Sequence, residues 1–259
     1  MITGFANITI GTTDLQRTTQ EHELFLGRAP SRSDAHSSDF DLSNLVLRLV
    51  PSDQTGIISL GFRTEELERA QIRMHRFGLL NEAGAATDTI KDQEPNQLKL
   101  SADKTCSLSL SITGNTTEVT AQDPAKSDCQ DTITGLDHIV IQSDNPERTA
   151  FLLGCQLGLD MRLDRTNEAW NARLLFFRCG DAIVEVFHPL KAKERRDHDR
   201  FFGITWRVDD IDAAHARLSE SGVAVSEIRP GRKPGTAVCT IKSHTSTVPT
   251  LLIGPSGTN

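Results

Sequence analysis

The chain has 259 residues, 37% of them hydrophobic and 24% charged, enough apolar material for one large packed domain or two of ordinary size. Its formal net charge of -7, with arginines scattered rather than run together, argues against a nucleic-acid partner. No apolar stretch approaches the ~20 residues of a membrane span, and the start MITGFANITIGTTDL has neither a charged n-region nor a long apolar h-region, so a cytoplasmic protein without a membrane partner is expected.

Four segments share one grammar: a short apolar strand, a polar cap, an amphipathic helix and further strands. The first begins FANITIGTTDLQRTTQEHELFLG and closes on NLVLRLVP at Pro51. Its SRSDAHSSDFD stretch is polar and loop-like, so this copy is expected to be eroded in the middle. The second begins GIISLGFRTEELERAQIRMHRFGL and closes on SLSLSITG at Gly114. The third begins LDHIVIQSDNPERTAFLLGCQLGL and closes on AIVEVFHP at Pro189; the fourth begins FGITWRVDDIDAAHARLSESGV and closes on TLLIGP at Pro255. Asp14, Thr64, Asp144 and Asp209 are the expected helix caps, and Gly27, Gly78, Gly158 and Gly222 the expected left-handed residues behind the helices.

Residues 115–132, NTTEVTAQDPAKSDCQDT, are polar and carry Pro124, and they divide the chain. The expected organisation is an N-terminal domain at 1–114 (modules 1–51 and 55–114), a linker at 115–133, and a C-terminal domain at 134–259 (modules 134–190 and 200–255). KAKERRDHDR, residues 191–200, reads as a solvated charged connector more readily than as an anion-binding loop. The five cysteines (Cys106, Cys129, Cys155, Cys179 and Cys239) form no CxxC pair and read as reduced core thiols. With no tyrosine, a tyrosine general acid is excluded; GxGxxG, GxxxxGK[ST] and GxSxG motifs are all missing from the sequence.

A β-α-β-β-β unit repeated in pairs, with an LDHIVI-type first strand and an IVEVFHP-type last strand, resembles the vicinal oxygen chelate superfamily, the glyoxalase, bleomycin-resistance and extradiol-dioxygenase group. The similarity runs through 134–255; over 1–114 it is one of pattern. The resemblance implies an α+β fold in which four βαβββ-type modules pair into two open, cup-shaped mixed sheets with helices on the outside. It also implies a divalent metal, Zn, Ni, Mn or Fe, held by His and Glu from first and last strands.

His138 and Glu185 stand at those ligand positions in the third module. A carboxylate inside IVEVF is costly to bury without a partner. The other modules place Gly203 and Leu251, Asn7 and Leu47, and Ser59 at the matching positions, so two of the usual three or four donors are visible. His188, His198 and His244 are further donors to weigh; strand alternation points His188 away from Glu185, while His244, in KSHTST, could reach the cup. His138 and Glu185 are therefore expected as catalytic residues, as half of a metal centre or as a metal-free acid–base pair. Their plain structural alternative is a buried pair that satisfies itself.

In the β-strand around 173–178, Arg173, Leu175 and Phe177 share one face and Leu174, Phe176 and Arg178 the other; one arginine is expected in the cup. Arg207 shares a face with Gly203 and Thr205, while Trp206 packs beneath the helix. Arg229, Arg232, Lys233 and Thr236, in IRPGRKPGTAV, could form a lid over an anionic ligand, or simply a solvated hairpin. The expected substrate-binding set is thus Arg173, Phe177, Arg207, Arg229 and Arg232. Two functions compete: a lyase, isomerase or dioxygenase acting on a small oxygenated molecule, and a metal-free ligand-binding protein of the bleomycin-resistance type. The N-terminal pair could serve as a structural or dimerisation half, which would allow a homodimer.

Overall fold

The computed structural model describes residues 1–80, 96–115, 131–191 and 196–256. Most of the expected linker, Cys129 and part of the charged connector lie outside the described residues. The elements run β1 (Ile2–Thr12), α1 (Leu15–Leu26), β2 (Arg32–Ser33), β3 (Ser38–Asp41), β4 (Val46–Pro51), β5 (Gly56–Thr64), α2 (Leu67–Arg76), β6 (Gln97–Lys99) and β7 (Leu110–Gly114). There follow β8 (Ile133–Gln142), α3 (Pro146–Ala150) continuing as a π-helix (Phe151–Gln156), β9 (Asp160–Asn167), β10 (Ala172–Cys179), β11 (Ala182–Pro189), β12 (Arg200–Val208), α4 (Ile211–Glu220), β13 (Arg229–Pro230), β14 (Thr236–Ile241) and β15 (Thr250–Pro255). Two open mixed sheets result. One has seven strands in the order β2-β3-β4-β1-β5-β7-β6, the other eight in the order β13-β14-β15-β12-β8-β11-β10-β9. The first module is shortened but not eroded: within SRSDAHSSDFD, β2 and β3 pair antiparallel through Ser33 and Ser38.

Three helices have a side-chain cap, in two of them one residue beyond the expected one; the cap residue of α2 is Glu66, two residues beyond the expected Thr64, and makes no side-chain cap bond. Asp14 accepts from Arg17 N, Asn145 from Arg148 N, and Asp210 from Asp212 N and Ala213 N. Thr64 accepts from the backbone N–H of Glu66, which is the cap residue of α2. Asp144 and Asp209 thus yield to Asn145 and Asp210, the residues directly before the first helical turns.

By contacts the chain forms two compact units. One comprises 1–6, 59–120 and 140–201; the other 7–58, 121–139 and 202–259. The first gathers mainly the second and third sequence copies, the second mainly the first and fourth. Each unit is tied by an arginine of an even-numbered copy to the helix of an odd-numbered one. In the unit of 7–58, 121–139 and 202–259, Arg217 of α4 donates to Leu24 O (2.6 Å) and Phe25 O (3.1 Å) at the end of α1, and to Asp131 O (3.1 Å). In the other unit, Arg73 of α2 donates to Gln156 O (2.7 Å) and Cys155 O at the end of the π-helix. These are the carbonyls a helix leaves unsatisfied at its C-terminus.

The duplication is visible residue by residue. One constant offset relates Thr12 to Ser143, Asp14 to Asn145, Thr18 to Thr149 and Gly27 to Gly158. The paired hydroxyls make the same strand-to-helix bond, Thr12 to Thr18 at 2.7 Å and Ser143 to Thr149 at 2.7 Å. The core lies between helices and sheets and includes Ile8, Leu47, Phe62, Leu153, Phe177, Val184 and Trp206.

Of the cysteines, Cys106, Cys179 and Cys239 are free and buried, whereas Cys155 is free and exposed rather than a core thiol. Burial pushes the Cys106 and Cys239 thiols up to about 11, so neither is a reactive thiolate at neutral pH. No helix among the described residues is long and apolar enough to cross a membrane.

Candidate functional site

The richest polar constellation lies in the unit formed by 7–58, 121–139 and 202–259. Neighbouring strands β8 and β12 bring together Asp137 and His138 with Thr205 and Arg207. His138 Nδ1 lies 2.8 Å from Asp137 Oδ1, and its Nε2 lies 2.9 Å from Thr205 Oγ1. Arg207 Nε stands 3.8 Å from Asp137 Oδ2. Thr205 is buried, while the side chains of His138 (20% exposed), Asp137 (31%) and Arg207 (30%) stay within reach of solvent.

This geometry settles the ring's hydrogen-bonding roles. Burial works against the Asp137 charge, but the hydrogen bond and charge of His138, with Arg207 and Lys233, outweigh it and hold the carboxyl below its usual range. An ionised carboxylate only accepts, so Nδ1 carries the proton and donates to Asp137. In the neutral ring Nε2 then accepts from the Thr205 hydroxyl. If the ring gains a proton, the same hydroxyl turns and accepts from Nε2–H. His138 therefore keeps one orientation in both charge states. In Asp137→Asn the lock is removed, and 15N chemical shifts of the His138 ring are expected to show a mixed or reversed tautomer; unchanged shifts would contradict the assignment.

The strand bearing this pair is itself anchored. Asn44 accepts from Leu136 N at 2.9 Å and donates to Leu136 O at 2.9 Å, pinning both backbone groups of the residue before Asp137. On the other side, Gly203 marks a close approach. A Cβ there would sit 2.7 Å from Pro249 O, so the position has no room for any side chain. The ligand position that the resemblance implied at Gly203 is thus filled by the backbone passing beside it.

Registers extend the face from Thr205. Thr205 pairs with Leu251 and Arg207 with Ile253, Thr240 with Leu251 and Val238 with Ile253, and Arg229 with Val238. All of these share one side of the sheet, and Val238, Leu251 and Ile253 are half-buried. Arg232 and Lys233 lie in the turn between β13 and β14, which is closed by Gly231 N to Thr236 O (2.8 Å) and by Thr236 Oγ1 to Lys233 O (2.6 Å). Trp206, on the opposite side, is buried core.

Glu185 belongs to the unit of 1–6, 59–120 and 140–201. It is half-buried on β11, opposite Phe176 of β10. Leu174, Phe176 and Arg178 share its face, with Ile183 and Phe187. Arg173 and Phe177 lie on the other face, contrary to their expected place in the cup. Arg173 bonds Asp164 (2.9 and 2.8 Å) and Glu147 of α3, and Phe177 is fully buried. His188 is on that side too, with Nδ1 2.9 Å from Ser143 O. His244 bonds Ser243 at 2.7 Å and its charge bears on buried His22 of α1. His198 is exposed.

A divalent metal needs three or four converging protein donors. Among the described residues no three His, Cys, Asp or Glu side chains form such a group. The donor set of the described residues does not fit a metal centre.

A cavity of about 300 Å³ in the unit of 1–6, 59–120 and 140–201 is lined by Asp103, Lys104, Cys106, Arg148, Phe151 and Asp197, among others. Its principal cation is committed to structure: Arg148 donates to Asp197 O (2.9 Å) and to the buried carboxylate of Asp199 (3.0 Å).

Asp137 and Thr205 were not legible as site residues in the sequence, whereas Lys233 lay in the candidate lid segment. The signal for Thr205 was present, since alternation placed it with Arg207. Asp137 precedes His138 directly, and strand alternation would send it to the other face.

The Glyoxalase/Bleomycin resistance protein/Dioxygenase superfamily model matches residues 137–240. Three solved structures share the fold over nearly the whole chain. A Mn(II)-bound glyoxalase from Novosphingobium aromaticivorans is 12% identical, with a TM-score of 0.71 over 98% of this chain and 82% of that one. A variant of 4-hydroxymandelate synthase from Streptomyces coelicolor is 13% identical, with a TM-score of 0.73 over 100% and 94%. A halotolerant catechol dioxygenase is 14% identical, with a TM-score of 0.70 over 98% and 87%. No curated protein matches the chain.

Proposed function

We propose that this chain is a glyoxalase-like enzyme of the vicinal oxygen chelate superfamily acting on a small oxygenated substrate, a reading supported by the match of residues 137–240 to the Glyoxalase/Bleomycin resistance protein/Dioxygenase superfamily model. The reaction class is a lyase, isomerase or dioxygenase step that passes through an enolate-type charge. His138 and Glu185 are the acid–base residues on which turnover depends, and Arg207 binds the substrate, with Arg229 and Arg232 attracting it at longer range. The observation that carries this reading is the held imidazole: a part-exposed His with Asp137 on Nδ1 and Thr205 on Nε2 can gain and lose a proton without moving. A nearby guanidinium such as Arg207 would stabilise developing oxyanion charge.

The second reading, a metal-free binding protein of the bleomycin-resistance type, is favoured by there being no group of three metal donors among the described residues. Assay of carbonyl and enol substrates separates the two. In the enzymatic reading His138→Asn and Glu185→Gln each reduce turnover about 10²-fold or more, the usual contribution of a general acid or base. Turnover unchanged in both variants would sink it. Metal analysis of the purified chain is expected to find less than one equivalent of Zn, Ni, Mn or Fe. A stoichiometric metal lost in His138→Ala and Glu185→Ala would restore the metal-dependent version.

A further inference from the structure

The face that carries His138 has a chemical character of its own. Its β-register positions supply Arg207 and Arg229, and the closed turn beside them supplies Arg232 and Lys233. The charges of Arg207 and Lys233 are both felt at Asp137. Along β12 to β15, none of the positions on this face is acidic: they read Thr205, Arg207, Arg229, Thr236, Val238, Thr240, Leu251 and Ile253. Asp137, 3.8 Å from Arg207 Nε, is engaged by His138 Nδ1. This positive cluster stands on a chain whose net charge is -7. Between the cations lie the half-buried aliphatic groups Val238, Leu251 and Ile253.

We propose that the ligand of this face is an organic carboxylate with an apolar body. Its carboxylate is read by Arg207 and Lys233, and its body lies on Val238, Leu251 and Ile253. The inference deepens the enzymatic reading and rests on taking this face as the functional surface. The physical reason is complementary. A guanidinium and an ammonium together favour a carboxylate over a neutral oxygen, since charge-assisted hydrogen bonds are about twice as strong as neutral ones. Aliphatic groups that stay part-exposed gain by being covered. Arg229 and Arg232 act at longer range, steering the anion, so their effect fades as salt screens it.

The test uses the full chain and three matched probes: 4-phenyl-2-oxobutanoate, 4-phenylbutanoate and the neutral ketone 4-phenylbutan-2-one. Binding is followed by isothermal titration and amide chemical shifts. Both acids are expected to bind at least about 10-fold more tightly than the ketone, the scale of one charge-assisted hydrogen bond. Arg207→Gln and Lys233→Gln should each cost about 10-fold with native circular dichroism, while Arg229→Gln and Arg232→Gln cost less and only at low salt. Equal binding of ketone and acids, or unaltered binding in both Arg207→Gln and Lys233→Gln, overturns the proposal.

Exchange of the C3 protons of 4-phenyl-2-oxobutanoate in D2O separates this inference from the enzymatic reading. Acid binding that depends on Arg207 and Lys233, without His138-dependent exchange, confirms the anion site and sinks the enzyme. Turnover of neutral substrates that depends on His138, without acid binding, does the reverse.

Discussion

Arg217→Ala is expected to lower the stability of this protein by about 3 kcal/mol, because its three hydrogen bonds include two to the last carbonyls of α1. A hydrogen bond to a charged group contributes about 1.5–3 kcal/mol, and a buried carbonyl left unsatisfied costs about 1–3 kcal/mol. The contributions overlap, so the estimate stays below their sum. The Arg217 side chain is only 18% exposed, so water replaces the guanidinium poorly. Burial lowers the pKa of this guanidinium, which shows that the site already bears a desolvation cost. For a chain of this size the loss corresponds to a Tm drop of roughly 6–12 °C. Arg217→Lys should recover less than half, since one ammonium cannot span three acceptors held in a fork. Urea denaturation with a ΔΔG under about 1 kcal/mol in Arg217→Ala would show that α1 is held by other contacts.

His22 gives the second large effect, and it depends on pH. The ring is buried in α1, with Nδ1 2.9 Å from Thr18 O and the rings of Phe25 and Phe40 at 6.2 and 6.4 Å. Burial is the chief cause that lowers its pKa to about 4; the Thr18 carbonyl and Glu21 oppose the shift, and His244 adds to it. In the unfolded chain the ring titrates near 6.5. Between pH 6.5 and 4 the unfolded state therefore binds the extra proton and the native state does not. Stability from this group is complete above pH 6.5 and falls as the pH drops towards 4, by about 3 kcal/mol in total. The duplication supplies the control. Leu153 occupies the equivalent place in the third copy and is fully buried. His22→Leu should abolish this component of acid destabilisation, leaving the variant more stable relative to wild type at pH 4.5 than at pH 7.5. Parallel stability-versus-pH curves for the two proteins would remove His22 as the cause.

The sequence by itself determined the modular plan. Strand alternation, capping residues and glycines behind helices are local signals, and each is set by one residue's own backbone chemistry. That is why four copies could be counted, and why Thr205, Arg207 and Trp206 were assigned to faces correctly. Local signals also erred locally: caps moved by one or two residues, and a polar stretch hid the β2–β3 hairpin, whose pairing needed only two residues on each strand.

Tertiary structure decided which faces look where. Alternation said that Arg173 and Phe177 share a side, but only the ion pair from Arg173 to Glu147 of α3 shows that this side is not the one bearing Glu185. Gly203 stood at a ligand-matching position in the sequence, and only the fold brings Pro249 O to 2.7 Å from its would-be Cβ. The grouping of first with fourth copy, and of second with third, was invisible for the same reason. Partners such as Arg217 and Leu24 are far apart in sequence, and neither residue's local preference carries any record of the other. The pattern of one strand fixes what lies on its two sides; only packing chooses which side meets His138's neighbours and which meets a helix.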